Sequence, residues 1–586
     1  MINIFSLPEI ASAISQFLNR DDLHNCVLVH SLWFDRFTPH LWQTIQCTLV
    51  LELDPEPHAP EEEEKQAFIT NNRRIRTLRT NNFHLAKTAL EYCTHLRHIH
   101  IPYYIRAPFN AQFFRESVAP AMKRNPKLET LVYKCFPVPS RIHGGALPLF
   151  KLMLEPLHTL TNLHLTFHTE IGQEALMYLA RFAKQLHRLK LGVGYVIDSK
   201  SLPMPSDAEV VAEQTQLRQL DIDGSTRGGV LEFLIPLIKV SSNLERLVLS
   251  YRFWGMEAPV AQTIRQNCPR LRHLILDASF TNLSDNKIAN LIDSCRTPGL
   301  QTFELREPKG FEMLSLQALY EHSATLESVH IPNHHGSISE IVQRLLTQCP
   351  NLRVLDTSSK RYDRQQQTPA EGLLKEPWVC TKLEVFRVVL DGVFGNYPDG
   401  DEEDNEYSER DDDDDGGGYI SPYHELSERE SNHCADDPYQ DEEGEGDEGD
   451  EGEYLVYYDY HWDLYTQLSR LTRLEELSVG FSLWGGAICE SAPQFSLEGG
   501  LEMLEGLRQL RVLDVSHTRN GIQRQELEWM CEHWQKLERI EGIRMSRAAS
   551  WWESSDNSLA RYETLMPVRI RSILTAEKDN LAEIYD

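Results

Sequence analysis

The sequence predicts an α/β fold in which parallel strands line one side of a repeat array and helices cover the other side. Three observations predict it. A six-residue apolar motif recurs along the chain, the residues between motifs have helical apolar spacing, and successive motifs from Leu96 to Leu383 begin 26 to 32 residues apart. Because 586 residues exceed what one ordinary core supports, a repeated unit also accounts for the length.

The motif has the form L-x-x-L-x-L, with Ile, Val or Phe replacing some leucines, and each copy predicts one short strand. The copies begin at Leu96, Leu128, Leu160, Leu186, Leu217, Leu244, Leu271, Leu300, Leu326, Leu352, Leu383, Leu474, Leu510 and Leu537. Before two of these strands, in residues 288–295 and 341–349, apolar residues recur at the spacing of a helix. Since neither element can bury its apolar side alone, stacked units form one parallel sheet with helices outside.

Cysteine placement indicates packing and not chemistry. Cys93, Cys268, Cys349 and Cys380 each precede the first leucine of a motif by three residues, at the end of a predicted helix. The 11 scattered cysteines include no CxxC pair, so neither a zinc site nor a disulfide framework is indicated. We therefore expect buried, reduced thiols, with no metal and no cofactor.

These units resemble the leucine-rich repeats found in F-box proteins. The junctions CPRLRHL at Cys268 and CPNLRVL at Cys349 carry the resemblance. It implies a leucine-rich-repeat horseshoe, with strands on the concave face and helices outside, over residues 75–398 and 454–545, followed by a C-terminal cap or tail at 546–586. Many leucine-rich repeats keep Asn eight residues after the first leucine, whereas this chain has Arg252, Ser279 and Lys360.

The net charge of −30 is concentrated in residues 399–453. This segment holds 26 Asp and Glu and two Arg, a charge of −24, so the rest of the chain carries −6. Without these 55 residues the spacing from Leu383 to Leu474 falls from 91 to 36, so the segment interrupts one unit. Like charges and glycines predict disorder. Two interpretations remain open: a solvated loop, or an arm that attracts basic protein segments or competes for basic patches of the same chain.

Other features argue against several functional classes. The modest charge outside the acidic segment argues against nucleic-acid or anionic-membrane binding. No secretory signal and no long apolar stretch are present, so we expect a cytoplasmic or nuclear protein. The sequence contains no GxxxxGK[ST], HExxH, GxSxG or dinucleotide fingerprint, and the 23 His show no ligand spacing, so we expect a chain that is not an enzyme.

Residues 7–45 carry apolar residues at helical spacing, more than so short a unit can bury alone. The segment resembles the F-box through four landmarks in order: Leu7-Pro8, Asp22-Leu23, Val29 before Trp33, and Leu41-Trp42. An alternative is a cap on the first repeat, which explains the apolar helices but not the ordered landmarks. In the F-box, an intervening residue often follows the proline, whereas Glu9 follows Pro8 directly here.

The resemblance implies a small all-α F-box at 1–48 and a linker at 49–74. In that family the motif binds a Skp-type adaptor that bridges to a cullin–RING ubiquitin ligase, while the repeats select the client protein to be ubiquitinated. The adaptor-binding residues it implies are Leu7, Pro8, Ile10, Ile14, Leu18, Leu23, Val29, Trp33, Leu41 and Trp42.

The x positions flanking the second leucine of each motif are expected to face the concave side. With the strand-exit segments YRFWG and FSLWGG, they give the candidate client-binding residues Arg188, Lys190, Asp221, Asp223, Arg246, Tyr251, Trp254, His273, Asp277, Arg306 and Trp484. The mixed charge is typical of a protein-binding surface. The aromatic residues are either interface anchors or part of loop packing.

Two functions follow from these expectations. The first is the substrate-recognition subunit of an SCF-type ubiquitin ligase, which contributes proximity and no chemistry of its own. The second is a non-catalytic scaffold or chaperone, resembling the acidic leucine-rich nuclear proteins, whose acidic arm shields basic proteins such as histones.

Overall fold

The structure is a computed structural model. It describes residues 8–16, 18, 22–23, 26, 37–38, 40–41, 43–47, 66, 69–80, 83–101, 113–136, 147–171, 173–196, 215–224, 230–251, 257–277, 283–306, 310–332, 338–358, 368–391, 460–479, 493–516 and 522–541. The acidic segment 399–453 and the C-terminal residues 546–586 lie outside these ranges, so the expectations for both remain predictions.

Sixteen parallel strands form one continuous sheet. They are β1 (Thr44–Cys47), β2 (Thr77–Thr80), β3 (His98–Ile101), β4 (Thr130–Phe136), β5 (Asn162–Ile171), β6 (Arg188–Val196), β7 (Gln219–Gly224), β8 (Arg246–Tyr251), β9 (His273–Asp277), β10 (Thr302–Arg306), β11 (Ser328–His330), β12 (Val354–Asp356), β14 (Val385–Arg387), β16 (Glu476–Ser478), β17 (Val512–Asp514) and β18 (Arg539–Glu541). A second sheet pairs β13 (Thr368–Pro369) with β15 (Leu390–Asp391).

Helices occupy most of the connections between strands. They are α1 (Pro8–Ser15), α2 (Phe83–Tyr92), α3 (Ala119–Arg124), α4 (Leu147–Leu154), α5 (Gln173–Phe182), α6 (Val230–Lys239), α7 (Glu257–Asn267), α8 (Asp285–Asp293), α9 (Met313–Tyr320), α10 (Ile338–Gln348), α11 (Ala370–Leu374), α12 (His461–Ser469) and α13 (Arg524–His533). A π-helical turn (Phe114–Val118) precedes α3, and 3₁₀ turns occur at Ala183–Gln185 and Leu501–Gly506.

The expected α/β class with a parallel sheet is confirmed. All fourteen motif copies coincide with a strand of the large sheet. The two helices predicted from apolar spacing are α8 and α10, and both pack against the sheet. The strands β1 and β2 were not predicted. Strand β1 falls within the range 1–48 assigned to the N-terminal motif, and it pairs in parallel with β2.

One continuous core runs from Ile75 to Ile540. The register aligns the second leucine of each motif across the sheet, so that Leu220, Leu247 and Leu274 are neighbours in one buried row. The first leucines are buried as well. Burying a leucine removes apolar surface from water and stabilises by about 2 kcal/mol, so these two rows make a large favourable contribution to folding.

The predicted packing role of the cysteines agrees with their burial. Cys93, Cys268, Cys349 and Cys380 all lie in the core, as does Cys295. Burial raises the pKa of the Cys268 thiol to about 12, and the other four thiols shift equally. These thiols are therefore protonated and shielded at neutral pH.

Candidate functional site

The strands present one face to the helices and the other to solvent. In β7, Leu220 and Ile222 are buried between sheet and helices, while Gln219, Asp221 and Asp223 point to the opposite side. The parallel register joins equivalent residues of neighbouring strands into continuous rows. We call the surface formed by the Gln219, Asp221 and Asp223 rows the open face. It is the face on which sequence analysis placed the client-binding residues.

Strands β2 to β6 make the open face basic. Their cationic and imidazole side chains, here called the basic strip, are Arg79, His98, His100, Lys134, His164, Arg188 and Lys190. Arg79, His100, His164 and Lys190 lie in a single row, with Val132 of β4 between the two histidines. None of the described side chains in these rows of β2 to β6 is Asp or Glu.

The basic strip keeps two of its imidazoles uncharged. Burial lowers the pKa of His164, and the positive charges of Lys190, Lys134 and His100 lower it further, to about 4. Burial also lowers the pKa of His100, with Arg79 and Lys134 adding to the effect. At pH 7 both rings are therefore neutral, and each can take up a proton if an anion approaches.

A shallow depression of about 370 Å³ lies where the basic strip meets β7 and β8. It is lined by Thr130, Val132, Asn162, Leu163, His164, Arg188, Leu189, Lys190, Gln219, Leu220, Asp221, Arg246 and Val248. The Lys190 Nζ donates to Asp221 Oδ2 at 2.7 Å, so the basic strip ends at an ion pair between β6 and β7. The other oxygen, Asp221 Oδ1, is buried and accepts no hydrogen bond from the described residues.

Beyond Lys190 the open face becomes acidic. Burial raises the pKa of Asp223, and the nearby carboxylates of Asp221 and Asp277 raise it further against the lowering effect of Lys190 and Arg306. The Arg306 guanidinium lies 2.7 Å from Glu304 and 3.8 Å from Asp277. The open face of β7 to β10 therefore holds four carboxylates, of Asp221, Asp223, Asp277 and Glu304, against two arginines, Arg246 and the ion-paired Arg306.

The ion pairs continue through strands β11 to β16. The buried carboxylate of Asp356 lies 3.0 Å from His330 and 3.0 Å from Arg387. The Arg387 guanidinium also donates to both oxygens of Glu476. The basic strip differs from this region because no described residue forms an ion pair with Arg79, Lys134 or Arg188.

Most candidate client-binding residues lie together on the open face. Arg188, Lys190, Asp221 and Arg246 line the depression. Of the remaining described candidates, His273 continues the row of Arg188 and Arg246, and the Asp223 row holds Asp223, Asp277 and Arg306. Burial lowers the pKa of His273, as does Arg246, and its Nδ1 lies 2.9 Å from Thr302 Oγ1.

Tyr251 ends β8, but its side chain lies outside the described residues, as do Trp254 and Trp484. Their role as interface anchors or loop packing therefore stays a prediction.

Sequence reasoning did not include five residues of the basic strip among the candidates: Arg79, His98, His100, Lys134 and His164. Their positions carry the same signal as the residues that were included. His98 and His100 flank the second apolar residue of their motif, as Arg188 and Lys190 do. Comparing all motifs position by position would have found His98, His100, Lys134 and His164, whereas Arg79 lies on β2, whose motif was not recognised.

The N-terminal segment forms a small helical cluster of its own. Leu23 and Phe37 are buried, and the side chains around them are partly buried: Ile14, Leu18, Cys26 and Leu41. None of these six belongs to the core of the sheet. Of the other predicted adaptor-binding residues, Pro8 and Ile10 lie in α1 with side chains outside the description, and Leu7, Val29, Trp33 and Trp42 lie outside the described residues.

A scan against protein-family models gives no match, and a search of curated proteins gives none either. Within the described ranges, no three His, Cys, Asp or Glu side chains are grouped as a metal site requires. In the same part of the chain, no helix combines the length and hydropathy needed to cross a membrane.

Proposed function

We propose that this protein is the substrate-recognition subunit of an SCF-type ubiquitin ligase. In this proposal the N-terminal helical segment binds a Skp-type adaptor and so recruits the cullin complex, while the open face binds the client protein. The chain itself performs no catalysis. It acts in the cytoplasm, the nucleus or both. The observation that carries the proposal is a separate helical cluster, with the ordered landmarks of an F-box, placed directly before a repeat sheet with one solvent-facing side.

The short connection between cluster and sheet supports this function. Only Trp42 and Gln43 separate Leu41 of the cluster from Thr44, where β1 begins. The carbonyl oxygen of Gln43 accepts hydrogen bonds from the backbone N–H groups of Arg76 and Thr77, at 2.9 and 3.0 Å. The end of the helical segment is thus tied to the first two strands. An adaptor bound to the cluster and a client bound to the open face would be held at a restricted separation.

Restricted separation is what a non-catalytic receptor contributes. Holding a client lysine near the charged ubiquitin turns a bimolecular encounter into an effectively intramolecular one. The finer description of the sheet as a leucine-rich-repeat horseshoe belongs to the same proposal. It is supported by units of 26 to 32 residues, each with one strand at the motif, and by the unbroken order of the strands in the sheet.

The double substitution Leu7→Ala with Pro8→Ala tests the proposal. These residues begin the F-box-like segment, and truncating interface anchors commonly costs 2 kcal/mol or more, so we expect adaptor affinity to fall by roughly thirtyfold. The measurement is titration of the purified full chain with a purified Skp-type adaptor, alongside a thermal melt. We expect the melting temperature of the sheet to stay unchanged.

The matched control is Leu314→Ala with Pro350→Ala, which removes the same residue types from exposed positions of the repeat body. It should leave adaptor affinity unaltered. If the Leu7 and Pro8 variant melts earlier and still binds the adaptor normally, these residues cap the repeat array and the ligase function is wrong.

A second candidate is favoured by the charge of −24 in residues 399–453. A segment of this kind suits a scaffold or chaperone for basic proteins such as histones. Binding of a core histone dimer that disappears on deletion of 399–453, together with absence of adaptor binding, would favour this function over the first.

A further inference from the structure

We infer that the basic strip of strands β2 to β6 binds an acidic segment of the client, and that the carboxylates of β7 to β10 select a basic residue beside it. The inference rests on the proposed function of the open face as the client-binding surface, and it names the class of client. The recognised element is an extended peptide rich in Asp and Glu, followed by Lys or Arg.

The length of the strip sets the length of the peptide. Neighbouring strands lie about 4.8 Å apart, so the four intervals from β2 to β6 span roughly 19 Å. An extended peptide advances about 3.3 Å per residue, so about six residues cross the strip. Arg79 and Lys190 mark its two ends in one row. A shorter acidic run would leave part of the strip unoccupied.

Among the described residues of the open face, cations without an ion-pair partner are concentrated in the strip and in the adjoining Arg246 of β8. Arg79, Lys134 and Arg188 have no ion-pair partner among the described residues, whereas Arg306 and Arg387 each contact two carboxylates. Cations that are already paired have little to offer a ligand. Unpaired cations on one face attract an anion without losing an existing contact. A client carboxylate therefore binds most favourably at the strip.

The change of sign at Lys190 gives the site its polarity. Lys190 bonds to one oxygen of Asp221, whose other oxygen, Oδ1, accepts no hydrogen bond from the described residues, and the carboxylate of Asp223 follows on the same face of β7. A basic client residue placed there would relieve their mutual repulsion. A uniformly acidic client would instead meet repulsion beyond β6, so the sequence that fits is acidic and then basic.

The neutral imidazoles make binding dependent on pH. The groups that face His164 are Lys134 on β4, Lys190 on β6 and His100 on β3, all of which disfavour its protonation. A client carboxylate favours the protonated ring, so binding takes up protons and strengthens as pH falls. Client Asp and Glu stay ionised above about pH 5, which leaves a window between pH 7.5 and 6 in which the effect is measurable.

The same observations favour a peptide over a nucleic acid. Single-stranded nucleic acids bind through aromatic stacking platforms along a continuous basic groove. The described side chains of the strip rows include no Phe, Tyr or Trp. The strip also ends at the carboxylates of Asp221, Asp223 and Asp277, which would repel further phosphates.

The experiment uses the full chain and a fluorescein-labelled peptide of six glutamates, one glycine and two lysines, with binding followed by fluorescence anisotropy. The test variant is Lys134→Gln with Arg188→Gln. The matched control is Lys536→Gln with Arg539→Gln, which removes the same two charges and includes an arginine in the same row as Arg188, at the far end of the sheet. We expect about a tenfold loss of affinity in the test variant and less than about a twofold loss in the control. Wild-type affinity should rise from pH 7.5 to pH 6.

Four outcomes would overturn the inference. The first is that the wild-type chain does not bind the peptide, and the second is that the two variants lose equal affinity. The third is that a twenty-nucleotide RNA displaces the peptide at a lower concentration than unlabelled peptide does. The fourth is that the peptide binds only after deletion of 399–453. The third would indicate a nucleic-acid site, and the last would make the chain's own acidic segment the occupant. Adaptor binding is measured on the same samples, so failure of the peptide with adaptor binding intact leaves the proposed function standing.

Discussion

Arg387 and Glu476 lie 89 positions apart in the sequence and form an ion pair between neighbouring strands. The Arg387 Nε donates to Glu476 Oε1 at 2.7 Å, and a terminal guanidinium nitrogen donates to Oε2 at 2.8 Å. The pair joins β14 to β16, with the acidic segment 399–453 between them in the chain. The backbone N–H of Val388 also donates to the Ser478 carbonyl oxygen at 2.9 Å. The sheet is therefore continuous across the interruption.

Deletion of residues 399–453 should leave this junction intact. The contacts that close it come from residues outside the segment, and shortening a connecting loop lowers its closure entropy. We expect the free energy of unfolding to stay the same or to rise by about 1 kcal/mol, as measured by urea denaturation. Loss of a cooperative transition would mean that the segment forms part of the folded structure.

The substitution Arg387→Met should weaken the junction. It leaves the buried Asp356 without its arginine partner and removes both hydrogen bonds to Glu476. We expect the free energy of unfolding to fall by about 2 kcal/mol, less than a fully buried pair because Arg387 is partly exposed. Arg353→Met breaks a similar two-point pair with Glu384 at an exposed position and should have a smaller effect. Equal effects would show that the position of Arg387 has no special importance.

The stability of the sheet should depend on pH through the carboxyl group of Asp356. Burial on its own raises the pKa of this carboxyl, but hydrogen bonds and charge from His330, Ser358 and Arg387 outweigh burial and hold the pKa below its usual value. A lowered folded-state pKa stabilises the fold above the unfolded-state value, near 4, and this stability is lost as pH falls through the folded-state value.

Asp356→Asn should consequently flatten the loss of unfolding free energy between about pH 5 and pH 3, measured by denaturation at each pH. Asp223→Asn should have the opposite effect, because the pKa of Asp223 is raised and its protonation favours the folded state. Without this carboxyl, the free energy of unfolding should fall more steeply as the pH decreases. The interpretation is wrong if both variants change the slope of unfolding free energy against pH in the same direction.

The core cysteines should resist alkylation in the folded protein. Cys93, Cys268, Cys349 and Cys380 are buried, and burial raises the pKa of each thiol to about 12, so few thiolates exist at pH 8. Peptide mapping after iodoacetamide treatment should find them modified only after unfolding in urea. Cys26 and Cys531 are partly exposed and serve as internal references. Modification of the four at the rate of the references would contradict their place in the core.

The sequence predicted the strands well because each motif carries its own signal. L-x-x-L-x-L alternates buried and open positions, which is the pattern a strand needs when only one of its faces is covered. Strand β2 escaped notice because its motif reads Ile75, Leu78 and Thr80, with a buried Thr in place of the last apolar residue. Strand β1 is more degenerate still. The local sequence there gives too weak a strand signal, and formation of the strand depends on pairing with the neighbouring strand.

Contacts between distant residues were harder to predict. Nothing near Arg387 in the sequence points to Glu476, because the partner depends on which strand follows the acidic segment. The basic strip shows the same limit. His100 and His164 are separated by 64 positions, and their proximity to Lys190 follows from the register of four strands. The sequence alone identified the open face, whereas the division of that face into a basic and an acidic region could be seen only in the structure.

The most direct test of the proposed receptor function is a mixture of the purified full chain with a purified Skp-type adaptor, analysed by size-exclusion chromatography with light scattering. Point substitutions are preferable to truncation at residue 48, since β1 within that range belongs to the sheet. We predict a stable one-to-one complex at roughly 10 µM of each protein, which is lost in the Leu7→Ala, Pro8→Ala variant. Separate elution of the wild-type chain and the adaptor at that concentration would contradict the account.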